Sequence, residues 1–358
     1  MSAERAGRLV ALLPEAQVDV MLVTDLVNVR YLTGYTGSNG LALIGAQTRT
    51  FITDFRYVEQ AAEEVDPSFD GVRAPQDLLD SVSDALPTGQ LRLGFEDTHV
   101  SVRSRDRLRE LLDERIELVA AGGLVERLRA VKDGDEIARI GAAAALADAS
   151  FQRLIDDGLI GHTERDLALA LEQDMRGHGA KRPSFEAIVA GGPHGALPHA
   201  QPREVPIERG QLVVIDWGAE LDGYCSDCTR TVATGKPGEE ARRIYDLVLE
   251  AQLAGLEAVE AGANGREVDG VARRLIDRAG HREHFGHGLG HGVGLEVHEG
   301  PRLSQRSDDD LVTGNIVTVE PGVYLPGQFG VRIEDLVAVT ESGCDILTSI
   351  TKDLVVTD

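Results

Sequence analysis

The chain is 358 residues long and carries 60 Asp and Glu against 36 Lys and Arg, a formal net charge of −24. A chain this acidic repels phosphate backbones and anionic lipid, and no Lys/Arg run offers a local exception, so neither nucleic acid nor a membrane surface is expected as a partner. At 42% hydrophobic and 27% charged residues it can bury a sizeable core, which excludes wholesale disorder, and no apolar run is long enough to span a membrane.

The N-terminal segment up to Leu22 carries charge at Glu4, Arg5 and Arg8 and reads as an amphipathic helix, not as a leader peptide. Three cysteines cannot build a disulfide framework, so a mature cytoplasmic protein is expected. Strands are predicted at Val18–Val23, Leu41–Ile44 and Thr50–Thr53, and helices at Asp54–Glu64 and Asp77–Leu86. That alternation predicts a small α/β domain. The break at Ala120–Gly123 precedes a helix with acids in its first turn at Asp133-Gly134-Asp135-Glu136, which places the boundary near residue 125 and gives domains 1–125 and 126–358. Beyond it, Ile137, Ile140, Ala144, Phe151, Leu154 and Ile155 share a helical face. Thr163 and Asp166 form a capping box for a helix over Glu164–Arg176, and Tyr245–Glu260 and Val268–Ala279 read as further helices. Strands are predicted at Ser184–Val189, Leu212–Ala219, Tyr224–Ala233, Asn315–Glu320 and Val331–Val339. Helices mixed with hairpins indicate an α+β fold rather than a doubly wound sheet.

Several of these strands contain a carboxylate, which strands disfavour. Asp216 lies in an apolar β-branched run, and Asp222-Gly223 marks a hairpin turn. A turn centred on Leu221-Asp222 would set Ala219 against Tyr224 and Asp216 against Asp227. Two opposed carboxylates need a cation between them or a shared proton, unless the register differs and one faces solvent. Glu320 ends the strand NIVTVEP, and Glu334 lies within GVRIEDLVAV. Four buried carboxylates carry a charge that two divalent ions would balance, and carboxylates with an imidazole suit Mn, Co, Fe or Zn. The imidazole source is FGHGLGHGVGLEVHEGP, with His287, His291 and His298, and His284 just before it. Its alternating glycines rule out a helical zinc site and miss the register of a dinucleotide loop; they suit close approach of backbone to a ligand. Cys225-Ser226-Asp227-Cys228 imitates a C-x-x-C pair, but residues three apart on a strand face opposite sides. Trp217 is expected in the core, and His162, His178 and His281 on the surface.

Asp216 and Asp227, His291 in GHGLGH, Glu320 in TVEPG and Glu334 in RIED resemble, in order and local context, the pita-bread metallopeptidases, and among them the Xaa-Pro aminopeptidases and Xaa-Pro dipeptidases (prolidases). LTGYTGSNG at Leu32–Gly40 and TDFRYVEQA at Thr53–Ala61 are similar to the creatinase-type N-terminal domain. The resemblance covers nearly the whole chain and implies an α+β protein with a pita-bread C-terminal catalytic domain and a smaller α/β N-terminal domain. It implies two divalent metal ions, Mn2+ foremost, with Co2+, Zn2+ or Fe2+ as alternatives. Asp216 would chelate one ion, Asp227 and Glu334 would bridge both, and His291 and Glu320 would complete the second. It also implies substrate contacts for His199 in PHGALPHA and His298 in LEVHEG, a proline-receiving pocket at His287, and a charge-setting role for Arg332. His199, His298 and Glu320 would be catalytic, the last as proton carrier, and a homodimer acting on proline-containing peptides is expected. No basic group able to grip the carboxylate of proline stands out in the sequence, so an aminopeptidase is expected ahead of a dipeptidase. The N-terminal domain argues against a methionine aminopeptidase, and the complete ligand set argues against a creatinase or a non-catalytic binding protein.

Overall fold

The computed structural model describes residues 2–357. The chain divides after Arg129 into two compact units. In the first, a six-stranded sheet runs in the order Asp70–Arg73, Thr48–Thr53, Leu41–Gly45, Val20–Val23, Leu91–Phe95, Ile116–Ala120. Only Leu41–Gly45 runs against the others. The runs VMLV and LALIG are buried along their whole length, as strands covered on both faces must be. The helix predicted from Asp54 starts later, at Val58–Glu64. The Asp54 carboxylate instead accepts from Arg56 N and Nε and from Asn39 Nδ2, and these bonds hold a turn ahead of the helix. The segment predicted as one helix at Asp77–Leu86 is a 3-10 turn, Leu78–Ser81, followed by a single helical turn, Val82–Ala85.

In the second unit the two predicted helix starts carry full capping boxes. Asp133 with Glu136 opens Gly134–Asp157, and Thr163 with Asp166 opens Glu164–Gly177. These helices cover one core, in which Trp217 is fully buried and stacks on Phe151 with ring centroids 4.1 Å apart. The Trp217 indole N–H donates to Ala147 O. Helices Glu239–Glu257 and Gly265–Arg278 cover a second core around Val248, Val268, Leu289, Val317 and Val337. Beneath them lie a four-stranded sheet (Val356–Thr357, Cys228–Thr234, Leu212–Trp217, Ile188–Gly191) and a five-stranded one (Glu299–Leu303, Gly290–Gly292, Ile316–Val319, Asp335–Thr340, Gly343–Ile346). Among the described residues, no helix is long and apolar enough to cross a membrane.

The strands that bear carboxylates differ from the prediction in an instructive way. The hairpin turn is Asp222-Gly223, not Leu221-Asp222, and both residues take a left-handed backbone, with φ of 50° and 84°. A two-residue turn of this hand needs positive φ at both positions, which Asp-Gly supplies and a leucine would resist. The register therefore pairs Leu221 with Tyr224 and Asp216 with Thr229, so Asp216 does not face Asp227. Asp227 lies two residues before Thr229, diagonal to Asp216 on the same face, which leaves room between the two carboxylates. The predicted strand Tyr224–Ala233 is in fact Tyr224–Cys225 and Cys228–Thr234, and Val331–Val339 is Phe329–Arg332 and Asp335–Thr340. Asp227 and Glu334 sit in those gaps, and Glu320 just past the end of Ile316–Val319. The ladder is interrupted where a carboxylate has to turn inward.

Candidate active site

A cavity of about 530 Å³ collects every residue expected to hold metal or substrate: Asp216, Asp227, His291, Glu320 and Glu334 in its lining, with His199, His287, His298 and Arg332. Asp227, His291 and Glu334 each offer a ligand atom within 4.8 Å of the others. His291 Nε2 lies 3.4 Å from Glu320 Oε1 and 3.6 Å from Asp227 Oδ2. Its Nδ1 faces Gly292 O at 3.1 Å, an acceptor only, so the proton is on Nδ1 and the Nε2 lone pair faces the carboxylates. Burial holds His291 down to about 3, so the ring is neutral at any ordinary pH.

The glycines of GHGLGHG explain how His291 reaches this place. A Cβ on Gly290 would lie 1.9 Å from Thr318 O, and one on Gly292 would lie 2.0 Å from Gly300 O. Strand Gly290–Gly292 threads between two neighbours too close for any side chain but its central one.

Burial, then mutual repulsion, pushes Asp227 well above the usual carboxylate range, and Glu334 rises for the same two reasons. Burial also pushes Glu320 up to about 8. Thr229 Oγ1 donates to Glu334 Oε2 at 2.6 Å and Thr318 Oγ1 to Glu320 Oε1 at 3.3 Å, too few bonds to satisfy so much negative charge. One oxygen of Asp216, Oδ1, is buried with no partner at all. Carboxylates packed this way, with an orphaned oxygen and a free imidazole lone pair, fit hard or borderline divalent ions.

Arg332 is the cation that touches this cluster. Its buried guanidinium donates to Asp216 Oδ2 at 2.6 Å, Thr229 Oγ1 at 3.0 Å, the Tyr324 hydroxyl at 2.8 Å and Pro198 O at 3.1 Å. Burial pushes Tyr324 up to about 12, so its hydroxyl keeps its proton. His287 Nδ1 faces Gly288 O at 2.8 Å and must donate there, so Nε2 accepts from the Tyr324 hydroxyl at 2.9 Å. Burial holds His287 down to about 4. His199 and His298 are exposed at the cavity wall, and the His298 ring meets that of His291 edge-on, centroids 4.5 Å apart.

Arg302 escapes the sequence reading, which names Tyr324 but leaves its role open. Tyr324 carries no motif of its own; only the hairpin that pairs it with Gly330 brings it to Arg332 and His287. Arg302 lines the cavity from strand Glu299–Leu303, where Gly300 and Arg302 share the exposed face, and the alternation in that strand was the signal available. Cys225 and Cys228 are free, buried thiols; burial raises both, Cys225 to about 12, which leaves them protonated and poor nucleophiles. His162 and His178 are exposed, but His281 is half-buried, with Nδ1 3.2 Å from His284 Nδ1.

Residues 138–341 match the metallopeptidase family M24 and residues 5–131 the creatinase/prolidase N-terminal domain. The chain is 37% identical to a Xaa-Pro dipeptidase of Pyrococcus furiosus across 98% of this chain and 99% of that protein. The structure is similar to that of a Xaa-Pro dipeptidase from Bacillus anthracis, with a TM-score of 0.96 and 41% identity over 99% of this chain and 100% of that one. It is also similar to an X-Pro aminopeptidase from Thermotoga maritima, with a TM-score of 0.90 and 37% identity over 99% of this chain and 100% of that one. The resemblance read from five scattered residues is borne out, and the architecture is a creatinase-type N-terminal domain followed by a pita-bread catalytic domain. The chain belongs to metallopeptidase family M24 and is a hydrolase.

Proposed function

We propose that the chain hydrolyses the bond between an N-terminal residue and a following proline, and that the dipeptide Xaa-Pro is the substrate its cleft suits best. The observation that carries the first part is the convergence of four carboxylates and a neutral imidazole on one cavity, with an oxygen of Asp216 left unpartnered. The second part rests on Arg302, an exposed guanidinium on the wall of that cavity. It is the basic group that a dipeptidase requires to grip the proline carboxylate and that a longer peptide would meet with a neutral amide instead. The expectation of an aminopeptidase rested on the want of such a group, and it keeps the support of the likeness to the Thermotoga maritima X-Pro aminopeptidase.

Asp216, Asp227, His291, Glu320 and Glu334 would hold two divalent ions, Mn2+ best suited to so oxygen-rich a set. When bound, such a pair supplies Lewis acidity and makes hydroxide available near neutral pH. The residues of the chain do the rest. The proline nitrogen carries no N–H in the peptide and departs only when protonated; Glu320, a carboxylate in the cavity lining, is suited to take the proton released by the attacking water and deliver it there. His298, beside His291 and exposed to the cleft, donates to the carbonyl oxygen as negative charge develops. His199 on the loop after Gly192–Ala196 provides a second polar contact to the substrate. Burial keeps His287 neutral, and the run Arg332 to Tyr324 to His287 fixes it where the proline ring is received. Pairing as a homodimer belongs to the same proposal and is read by sedimentation.

The test is a paired assay of Mn2+-loaded protein on a dipeptide Xaa-Pro and a tripeptide Xaa-Pro-Yaa. Faster cleavage of the dipeptide is expected, and Arg302→Leu should raise its KM by about ten- to hundredfold while leaving the tripeptide unchanged. Preference for the tripeptide would overturn the dipeptidase reading, and cleavage of neither would overturn the proposal as a whole.

A further inference from the structure

His287 sits between two glycines, Gly286 and Gly288, in a segment with no helix or strand of its own. Left to itself such a stretch is the most mobile backbone a chain can offer. Two side chains from helix Gly265–Arg278 take that freedom away. Arg273 Nη1 donates to Phe285 O at 2.9 Å and Nη2 to His287 O at 2.7 Å. The same guanidinium lies over the Phe285 ring, 4.1 Å from its centroid, and the Phe285 ring meets that of His287 edge-on at 5.1 Å. Asp269, fully buried one helical turn earlier, pairs with Arg273 through two 2.7 Å bonds and accepts from Leu289 N at 3.0 Å. The contacts hold Phe285, His287 and Leu289 in turn, so the pair grips the segment on both sides of the histidine.

We infer that Asp269 and Arg273 are positioning residues that set the place of His287, and through it the size of ring the cleft accepts after the scissile bond. This rests on the proline-peptidase reading of the cleft. Neither residue lines the cavity, so their effect reaches substrate only through His287. The planar fork of arginine is what allows one side chain to bond Asp269 and two carbonyls at once while stacking on Phe285. A lysine keeps the charge and loses that geometry.

The experiment compares the wild-type full chain, Mn2+-loaded, with Arg273→Lys and Asp269→Asn. Two readouts are taken: amide hydrogen exchange over residues 285–289, and kcat and KM for Xaa-Pro beside its four-membered (azetidine) and six-membered (pipecolate) ring analogues. In Arg273→Lys, exchange in that segment should rise at least about tenfold with the rest of the chain unchanged. KM for Xaa-Pro should rise about tenfold with kcat held, and the preference for the five-membered ring should fall toward parity. Unchanged exchange, or an equal loss on all three substrates through kcat, would overturn the inference. Should Arg273→Lys fold poorly, Asp269→Asn, which keeps shape and the bond from Leu289 N, carries the same expectations. A wild-type enzyme that cleaves no proline dipeptide would sink the functional reading, whereas the exchange result bears on the positioning pair alone, so the two failures separate.

Discussion

The two oxygens of Asp216 have unlike fates: Oδ2 is held by Arg332, and Oδ1 is buried without a partner. An unpaired carboxylate oxygen beside three other carboxylates is costly in a folded protein unless something positive completes it. Asp227→Asn tests this at a single atom pair. Without metal the variant should melt above the parent at pH 8, because a buried repelling charge is gone. With excess Mn2+ the parent should gain about 2.7 kcal/mol at a hundred times Kd, and the variant little or nothing. Thermal scans with chelator and with Mn2+ check both halves, and a variant that keeps full activity would refute its assignment as a ligand. The carboxylates were legible because Asp and Glu are out of place in apolar β-branched runs. Their true relation was not, since one position in the turn decides the register and a count along the strand cannot see that Asp222 tolerates positive φ better than Leu221. Arg302 and the role of Tyr324 were illegible for another reason: nothing local marks an arginine or tyrosine that reaches the site only after a hairpin closes.

Strand Gly290–Gly292 exists to carry one side chain. Gly290→Ala would drive a methyl into Thr318 O and should cost about 1–3 kcal/mol in urea unfolding, with weaker Mn2+ binding because His291 moves with the strand. A variant as stable as the parent with unchanged metal affinity would contradict the close-approach reading. Breaks in the ladder at Asp227 and Glu334 serve the same end by letting backbone turn where a carboxylate must point inward. Buried acids hold the other histidine loops too. Glu164 accepts from Gly191 N and Arg203 N on either side of His199, and Glu299, paired with Lys132, accepts from Glu296 N just before His298. The helices of the second unit were the most legible elements, since both caps and the apolar face of Gly134–Asp157 are written locally, whereas Leu26–Thr33 and Val102–Leu111 in the first unit went unread. Leu91–Phe95 and Ile116–Ala120 escape the sequence reading because five-residue runs with one charge each fit a strand or a helix equally well until a sheet claims them.

For the molecule as a whole the site couples stability to pH and to metal. Asp227, Glu320 and Glu334 are raised in the fold, so the metal-free folded state holds protons that the unfolded chain would release. Their contribution is complete below the ordinary carboxylate range and is lost as pH rises toward about 8, the Glu320 value. His287 and His291, depressed to about 4 and about 3 from 6.5, act with the opposite sign and cost stability only as pH falls below 6.5. Between pH 6.5 and 8 the carboxylates therefore decide the trend. Metal-stripped protein should melt lower at pH 8 than at pH 6.5, and Mn2+ should close or reverse that gap; a metal-free Tm that climbs over this interval would contradict the sign. The most direct test of the whole is a titration of stripped protein with Mn2+, following bound ion and Xaa-Pro cleavage together. Two equivalents per chain, with cleavage appearing as they fill and both lost in Asp227→Asn, is the expected result. Full cleavage by protein that binds no divalent ion would contradict it.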